Sequence, residues 1–335
     1  MSTILEVATR AGVSHATVTR YFRKPDLLAP VTYQRVKEAV EELNYVPNAT
    51  ARALFTGQTD IVSLIVPAIT SSFFTEMADG AEDKAHELGY TLTLGTTDKD
   101  IERERTYLEA LISHRVDGII ITPGTDSVEH IELLKRHKIP VVLVDRQIKD
   151  THVDFVGGDS LDAGVLLTRH LIQQGFKDIA FVGGEPGAWS LKERLSGYRQ
   201  VMQSAGLEER VYLGSYKPEC GKKITTNLIQ EDQLPEAILA ASSRVILGIF
   251  NALREYQLRV PEDIALTCVD DVAPASIINP FLTVVEQPAY HIGQMAMQCL
   301  VNRIKGSTEP PDTHILPVEL IVRRSSIKSE RLHIS

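Results

Sequence analysis

The spacing of apolar residues changes once along the chain, from a helical period to short continuous runs. In residues 3–11, Ile4, Val7, Ala8 and Ala11 fall at i, i+3, i+4 and i+7, the stripe of an amphipathic helix. Gly12 supplies the left-handed residue that closes such a helix, and Ser14 is a natural N-cap for a second helix over 15–22. There the spacing turns Val18, Tyr21 and Phe22 inward and leaves His15, Ala16, Thr19 and Arg20 outside. "KPDLLAP" is turn chemistry, and "TYQRVKEAVEELNYVP" predicts a third helix with Val36, Val40 and Leu43 on one face. From residue 61 the pattern becomes "IVSLIVP", "TLTLGTT", "VDGIIITPG" and "PVVLVD", separated by amphipathic stretches such as "FFTEMADGAEDKAHELG". That is a βαβ series building a parallel sheet. After "VDFVGGDSLDAG" it restarts with "DIAFVGG", "VYLGSY", "AILAASS" and "DIALTCVDD". Two similar α/β lobes predict a cleft between them, with a ligand at the carboxyl ends of the strands.

Composition narrows the function. Of 335 residues, 43% are hydrophobic, enough for real cores, yet no apolar run approaches the roughly 20 residues that cross a bilayer. The opening "MSTILEVATR" has no basic segment followed by an apolar one, so a cytoplasmic protein away from membranes is expected. Cys220, Cys268 and Cys299 are widely spaced, which fits reduced thiols and no zinc site. "FVGGEPG" and "FVGGDSLDAG" are neither GxGxxG nor a Walker loop, and read as strand-end turns. Among the ten histidines and the acids no catalytic or metal-spaced constellation is recognisable. Neither an enzyme, a cofactor nor a metal is expected.

Charge adds an asymmetry. The net charge is −9, but residues 1–56 hold seven Lys/Arg against five acids, leaving −11 on the rest. A mildly basic head on an acidic body is what nucleic-acid binding produces. Two helices joined by a Gly-containing turn form a helix-turn-helix, whose second helix enters the major groove of double-stranded DNA. Arg20 can reach a guanine edge, His15 and Thr19 can meet bases or phosphates, and the Ser14 end offers free N–H groups to a phosphate. A small three-helix bundle with a polar surface fits the same segment.

The stretch "VATRAGVSHATVTRYF…LNYVPNATARAL" resembles the head of the lactose/galactose-repressor family of bacterial transcription regulators. The resemblance covers essentially the whole chain. It implies an all-α helix-turn-helix head (1–46), a hinge helix and linker (47–57) and an α/β two-lobed body like the periplasmic sugar-binding proteins (58–335). Its N-lobe would be 58–158 and 287–316, and its C-lobe 159–286 and 317–330. DNA contacts are then expected from Ser14, His15, Ala16, Thr17, Thr19 and Arg20, and from Asn48, Ala51 and Leu54 of the hinge, with Leu54 wedged into a minor-groove step. A six-residue hinge helix is too short to stand alone and would borrow order from operator DNA. With no leucine-heptad tail, a homodimer is expected.

The resemblance also implies an effector pocket of Ser72, Phe73, Asp145, Arg146, Ser190, Arg194, Tyr216, Ser243 and Asp270. Each has a plainer reading: core aromatic, surface cation or strand-end cap. One departure stands out. Where the family commonly writes Ala-Asn-Asp after "AIL", this chain has Ala241-Ser242-Ser243 followed by Arg244, similar to the fructose-repressor branch. Losing a carboxylate beside Arg194, Lys192 and Arg244 favours an anionic carbohydrate effector, a sugar phosphate or sugar acid. Asp145 and Asp270 keep a neutral sugar open. A cytoplasmic sugar receptor without a DNA role is the remaining alternative, and residues 1–57 argue against it.

Overall fold

A computed structural model describes residues 2–23, 25–45, 58–272 and 279–328. The chain divides into two compact units, Met1–Thr59 and Asp60–Ser335.

The first unit is helical: α1 (Ile4–Ala11), α2 (His15–Arg23) and α3 (Pro30–Glu42). A capping box opens α1, with the Thr3 and Glu6 side chains each accepting the other's backbone N–H. Gly12 closes it at φ 63°, and the Arg35 guanidinium donates to the carbonyls of Ala11 and Gly12. Helix α3 begins two residues before the expected Thr32, because Pro30 sets the φ of a first helical turn. It stops at Glu42, and Asn44 (φ 44°) turns the chain so that Tyr45 joins the core of Val7, Ala8, Ala11, Val18, Val36 and Ala39. Phe22, expected inside, is 40% exposed and packs edge-on against Tyr21 instead.

The second unit holds two six-stranded sheets. One contains β1 (Ile61–Val66), β2 (Thr91–Thr96), β3 (Gly118–Ile121), β4 (Val141–Val144), β5 (Asp154–Gly158) and β11 (Thr313–Leu316), ordered β11-β5-β4-β3-β1-β2 and wholly parallel. The other contains β6 (Ile179–Val182), β7 (Arg210–Tyr212), β8 (Ala237–Ala240), β9 (Ala265–Val269), β10 (Thr283–Glu286) and β12 (Glu319–Ile321). Its order is β12-β10-β9-β8-β6-β7, parallel except for β12. The chain passes between the sheets after β5, between β10 and β11, and between β11 and β12.

Each sheet is buried on both faces, which is why its inner strands read as unbroken apolar runs. Val62, Leu64 and Val66 of β1 face α4 (Ser72–Leu88) and α11 (Ala289–Ile304). Ile65 and the alternate residues of β3 and β4 face α5 (Ile101–Ser113) and α6 (Glu129–Arg136). In the second lobe, α7 (Ser160–Gln173) and α8 (Trp189–Ser204) cover one face, and α9 (Pro218–Gln230) and α10 (Ser243–Glu255) the other. Three helix pairs touch through reciprocal glycines: Gly80 with Gly293, Gly164 with Gly197, and Gly221 with Gly248. At each of the six, a Cβ would overlap a backbone carbonyl oxygen of the facing helix. Among the described residues no helix is long and apolar enough to cross a membrane.

Candidate functional site

In the helical unit, α2 carries no acidic residue, and Ser14 caps it by accepting the Thr17 N–H at 3.2 Å. Ser14 and Thr17 also share a hydroxyl–hydroxyl hydrogen bond of 2.9 Å, and Thr19 donates back to the His15 carbonyl at 3.1 Å. His15, Ala16 and Arg20 are exposed, while Thr17 and Thr19 are half-buried. The helix therefore presents a short side chain and three polar ones from one face, the arrangement that a groove-reading helix needs. Asn48, Ala51 and Leu54 lie outside the described residues.

In the body, a cleft opens where the two sheets' carboxyl ends meet. Most wall residues follow a strand: Pro67 and Ala68 after β1, Lys99 after β2, Thr122 and Pro123 after β3, Asp145 and Arg146 after β4. The other lobe contributes Ser190 and Arg194 of α8, Tyr216 after β7, Ser242–Arg244 after β8 and Asp270 after β9. Ser71, Phe73 and Phe74 close one side, and the two phenylalanine rings meet edge-on at 5.1 Å.

The two aspartates occupy matching places. Each follows the third strand of its sheet in a left-handed conformation (φ 59° for Asp145, 64° for Asp270), and each donates its N–H to the neighbouring strand, to Val156 and Val285. Left-handed backbone at a non-glycine residue costs energy, so both carboxylates are held against strain at the cleft. Burial raises the pKa of both, and Asp270, 8% exposed, is pushed up to about 6. The Arg194 charge opposes the rise at each, and the Gln287 side-chain amide donates to both Asp270 oxygens at 3.1 and 2.9 Å. Arg194 is 4% exposed; its Nη1 donates to the Ala241 carbonyl at 2.7 Å, while its buried Nε has no hydrogen-bond partner among the described residues. Arg146, 6% exposed, donates to the Gly124 carbonyl at 2.7 Å. Burial also pushes the Tyr216 hydroxyl up to about 12 and brings the Lys99 ammonium down to about 8.

Of the nine residues singled out for this pocket, eight line the cleft. Ser72 does not: its hydroxyl crosses to the other lobe and donates to the Asp271 carbonyl at 2.7 Å, and the neighbouring Ser71 faces the cleft. Ser242 and Ser243 are not strand residues. Strand β8 ends at Ala240, Ser242 caps α10 by accepting the Val245 N–H, and Ser243 begins that helix. Sequence reasoning missed Lys99 and Thr122; the signal was their place at strand carboxyl ends, two residues past "TLTLGTT" and near the close of "VDGIIITPG".

Comparison with known proteins decides the family. Residues 59–324 match "Periplasmic binding proteins and sugar binding domain of LacI family", and residues 3–48 match "Bacterial regulatory proteins, lacI family". The chain belongs to the LacI family. This LacI-family protein is 33% identical over 330 residues to the transcriptional repressor PurR of Actinobacillus pleuropneumoniae serotype 3 (strain JL03), covering 97% of this chain and 98% of the relative. A transcriptional regulator CelR–cellobiose complex superposes with a TM-score of 0.73 at 30% identity, covering 97% of this chain and 100% of that one. The lac repressor dimer bound to operator and the anti-inducer ONPF shares the fold, with a TM-score of 0.84 at 24% identity and coverage of 98% and 99%. The LacI-family chain is thus a DNA-binding transcriptional regulator with a ligand-binding body, and not an enzyme.

Proposed function

We propose that the protein is a cytoplasmic repressor of carbohydrate-metabolism genes. It binds a palindromic operator as a homodimer through residues 1–46 and the hinge at 47–57, and its body (58–335) takes an anionic sugar phosphate or sugar acid in the cleft. The observation that carries the effector reading is charge. Among the described residues, Lys99, Arg146, Arg194 and Arg244 line the cleft against Asp145 and Asp270, and the Arg194 Nε is buried without an acceptor. The start of α10 adds free backbone N–H groups, which also favour an anion.

Operator reading falls to Ser14, His15, Ala16, Thr17, Thr19 and Arg20, with Asn48, Ala51 and Leu54 from the hinge. Phe73 and Tyr216 flank the effector ring, Ser190 and Ser243 serve its hydroxyls, and Arg146 and Arg194 take its charge. Deleting residues 1–57 abolishes operator retention and leaves effector binding intact. Calorimetry of wild type and Arg194→Gln with a sugar and its phosphate tests the reading. Truncating one partner of a desolvated charge pair costs about 2–5 kcal/mol, so phosphate affinity should fall well over tenfold. The chain's single tryptophan, Trp189, meets Phe155 of the other lobe edge-on at 5.2 Å and gives an independent fluorescence readout. Equal wild-type affinity for the sugar and its phosphate rules out the anionic effector. The paired aspartates, and the cellobiose bound by the similar CelR, favour a neutral sugar as the second reading, and a purine base belongs in the same screen as a control.

A further inference from the structure

Lys99 sits in a turn that the sequence presents as ordinary surface, Asp98-Lys99-Asp100. Two successive non-glycine residues there are left-handed, Asp98 at φ 49° and Lys99 at φ 61°. Asp100 then caps α5, accepting the N–H groups of Glu102 and Arg103, and Thr97 Oγ1 accepts the Lys99 N–H at 3.3 Å. Strain at two adjacent positions, held between a strand end and a capped helix, fixes the direction in which Lys99 leaves the backbone.

That direction is across the cleft. The Nζ lies 3.6 Å from the centroid of the Tyr216 ring of the other lobe, and the side chain is half-buried. Next to this contact, Asp98 faces Lys217 at 3.8 Å, so the turn after β2 meets the turn after β7 at two points. An aromatic face attracts an ammonium but accepts no conventional hydrogen bond, and among the described residues Lys99 Nζ has no hydrogen-bond or ion-pair partner. A half-buried ammonium with no protein acceptor, aimed into a cleft, keeps its three donors free for a ligand.

We propose that Lys99 is the residue by which the cleft selects an anionic effector, its ammonium leaving the Tyr216 face to pair with the effector's phosphate or carboxylate. The inference rests on the anionic reading of the cleft and names the group that enforces it. The charges facing Lys99 are Asp145 and Arg146 after β4, Glu185 from the loop after β6 and Arg244 of α10. Burial and the two arginines lower its pKa to about 8, and the two acids oppose them. An anion bound against the ammonium raises that pKa, so binding takes up a proton where the free ammonium is titrating. Affinity is therefore flat below about pH 8 and falls above it, about tenfold weaker at pH 9 than at pH 7. A phosphate monoester, with its second pKa near 6, stays doubly charged through that window.

The test is calorimetry with glucose and glucose 6-phosphate, ribose and ribose 5-phosphate, and gluconate, from pH 7 to 9.5. Wild type, Lys99→Met and Lys99→Arg are compared, with thermal unfolding to verify that each variant folds. Expected are a wild-type preference for a phosphate over its sugar, loss of both preference and pH slope in Lys99→Met, and recovery of the preference in Lys99→Arg. Retention of preference and slope in Lys99→Met overturns the role of Lys99 while the anionic effector stands. A wild type that prefers no anionic probe removes the anionic reading and this inference with it.

Discussion

Gly164→Ala tests whether the effector cleft depends on a contact that touches no effector. Gly164 lies in α7, and a Cβ there would overlap the Arg194 carbonyl oxygen and come within 2.9 Å of the carbonyl carbon and 3.1 Å of Cα, where ordinary contact begins at 3.4 Å. The obstacle is backbone, so no side chain can rotate clear of it. Helix α8 must move as a unit, by about 0.5 Å or more on the carbon contact alone. Overpacking of this kind costs about 1–3 kcal/mol, and a backbone obstacle belongs at the upper end. Alanine returns about 1 kcal/mol of helix propensity, leaving a net loss of about 1–2 kcal/mol. For a unit of this size that is a fall in Tm of roughly 2–8 °C. Because Ser190 and Arg194 ride on α8, effector affinity should weaken as well. Thermal unfolding and calorimetry read the two effects. The facing variant Gly197→Ala should cost a similar amount, and the double variant less than the sum, since the helices part only once. An unchanged or raised Tm for Gly164→Ala would refute the close-contact reasoning, because only the propensity gain would then remain.

Two further outcomes follow from the geometry. Arg20→Ala should weaken binding to the cognate operator by about 1–3 kcal/mol with little loss on random DNA, measured by fluorescence anisotropy; equal loss on both would make Arg20 a phosphate contact. Asp270, with its pKa raised by burial to about 6, stabilises the fold most below its unfolded value, and that contribution is lost as pH rises through 6. Asp270→Asn should therefore flatten the decline of stability between pH 4 and 7, and an unaltered slope in denaturant titrations would contradict the raised pKa.

The lobes were legible because buried parallel strands leave continuous apolar runs, and most of the cleft because strand ends converge there. What was hidden depended on details finer than a run. Ser71 and Ser72 differ by one residue at a helix start, where about 100° of rotation per residue sends one hydroxyl to the cleft and the other to Asp271. The hydroxyls after β8 looked like strand because the run "AILAASS" shows no break, yet Ser242 prefers to cap. Lys99 follows the exposed edge strand β2 in an acid-flanked turn, and only the opposite lobe's Tyr216 reveals it as half-buried. Strands β11 (THIL) and β12 (ELI) are half-exposed edge strands that mix polar with apolar residues, so neither leaves a continuous apolar run.

The interleaving of the two sheets has a consequence for biosynthesis. Strand β5 ends at residue 158, but its neighbour β11 begins at residue 313, and α11, which covers that lobe, begins at residue 289. A ribosome adding about 5–20 residues per second takes roughly 8–30 s to make the intervening chain. Through that interval the nascent first lobe carries an open strand edge and a bare apolar face, the features that recruit chaperones or neighbouring chains. The second lobe waits in turn for β12, at residues 319–321. Both lobes reach completion together, because β11 and β12 lie within ten residues of each other in the chain.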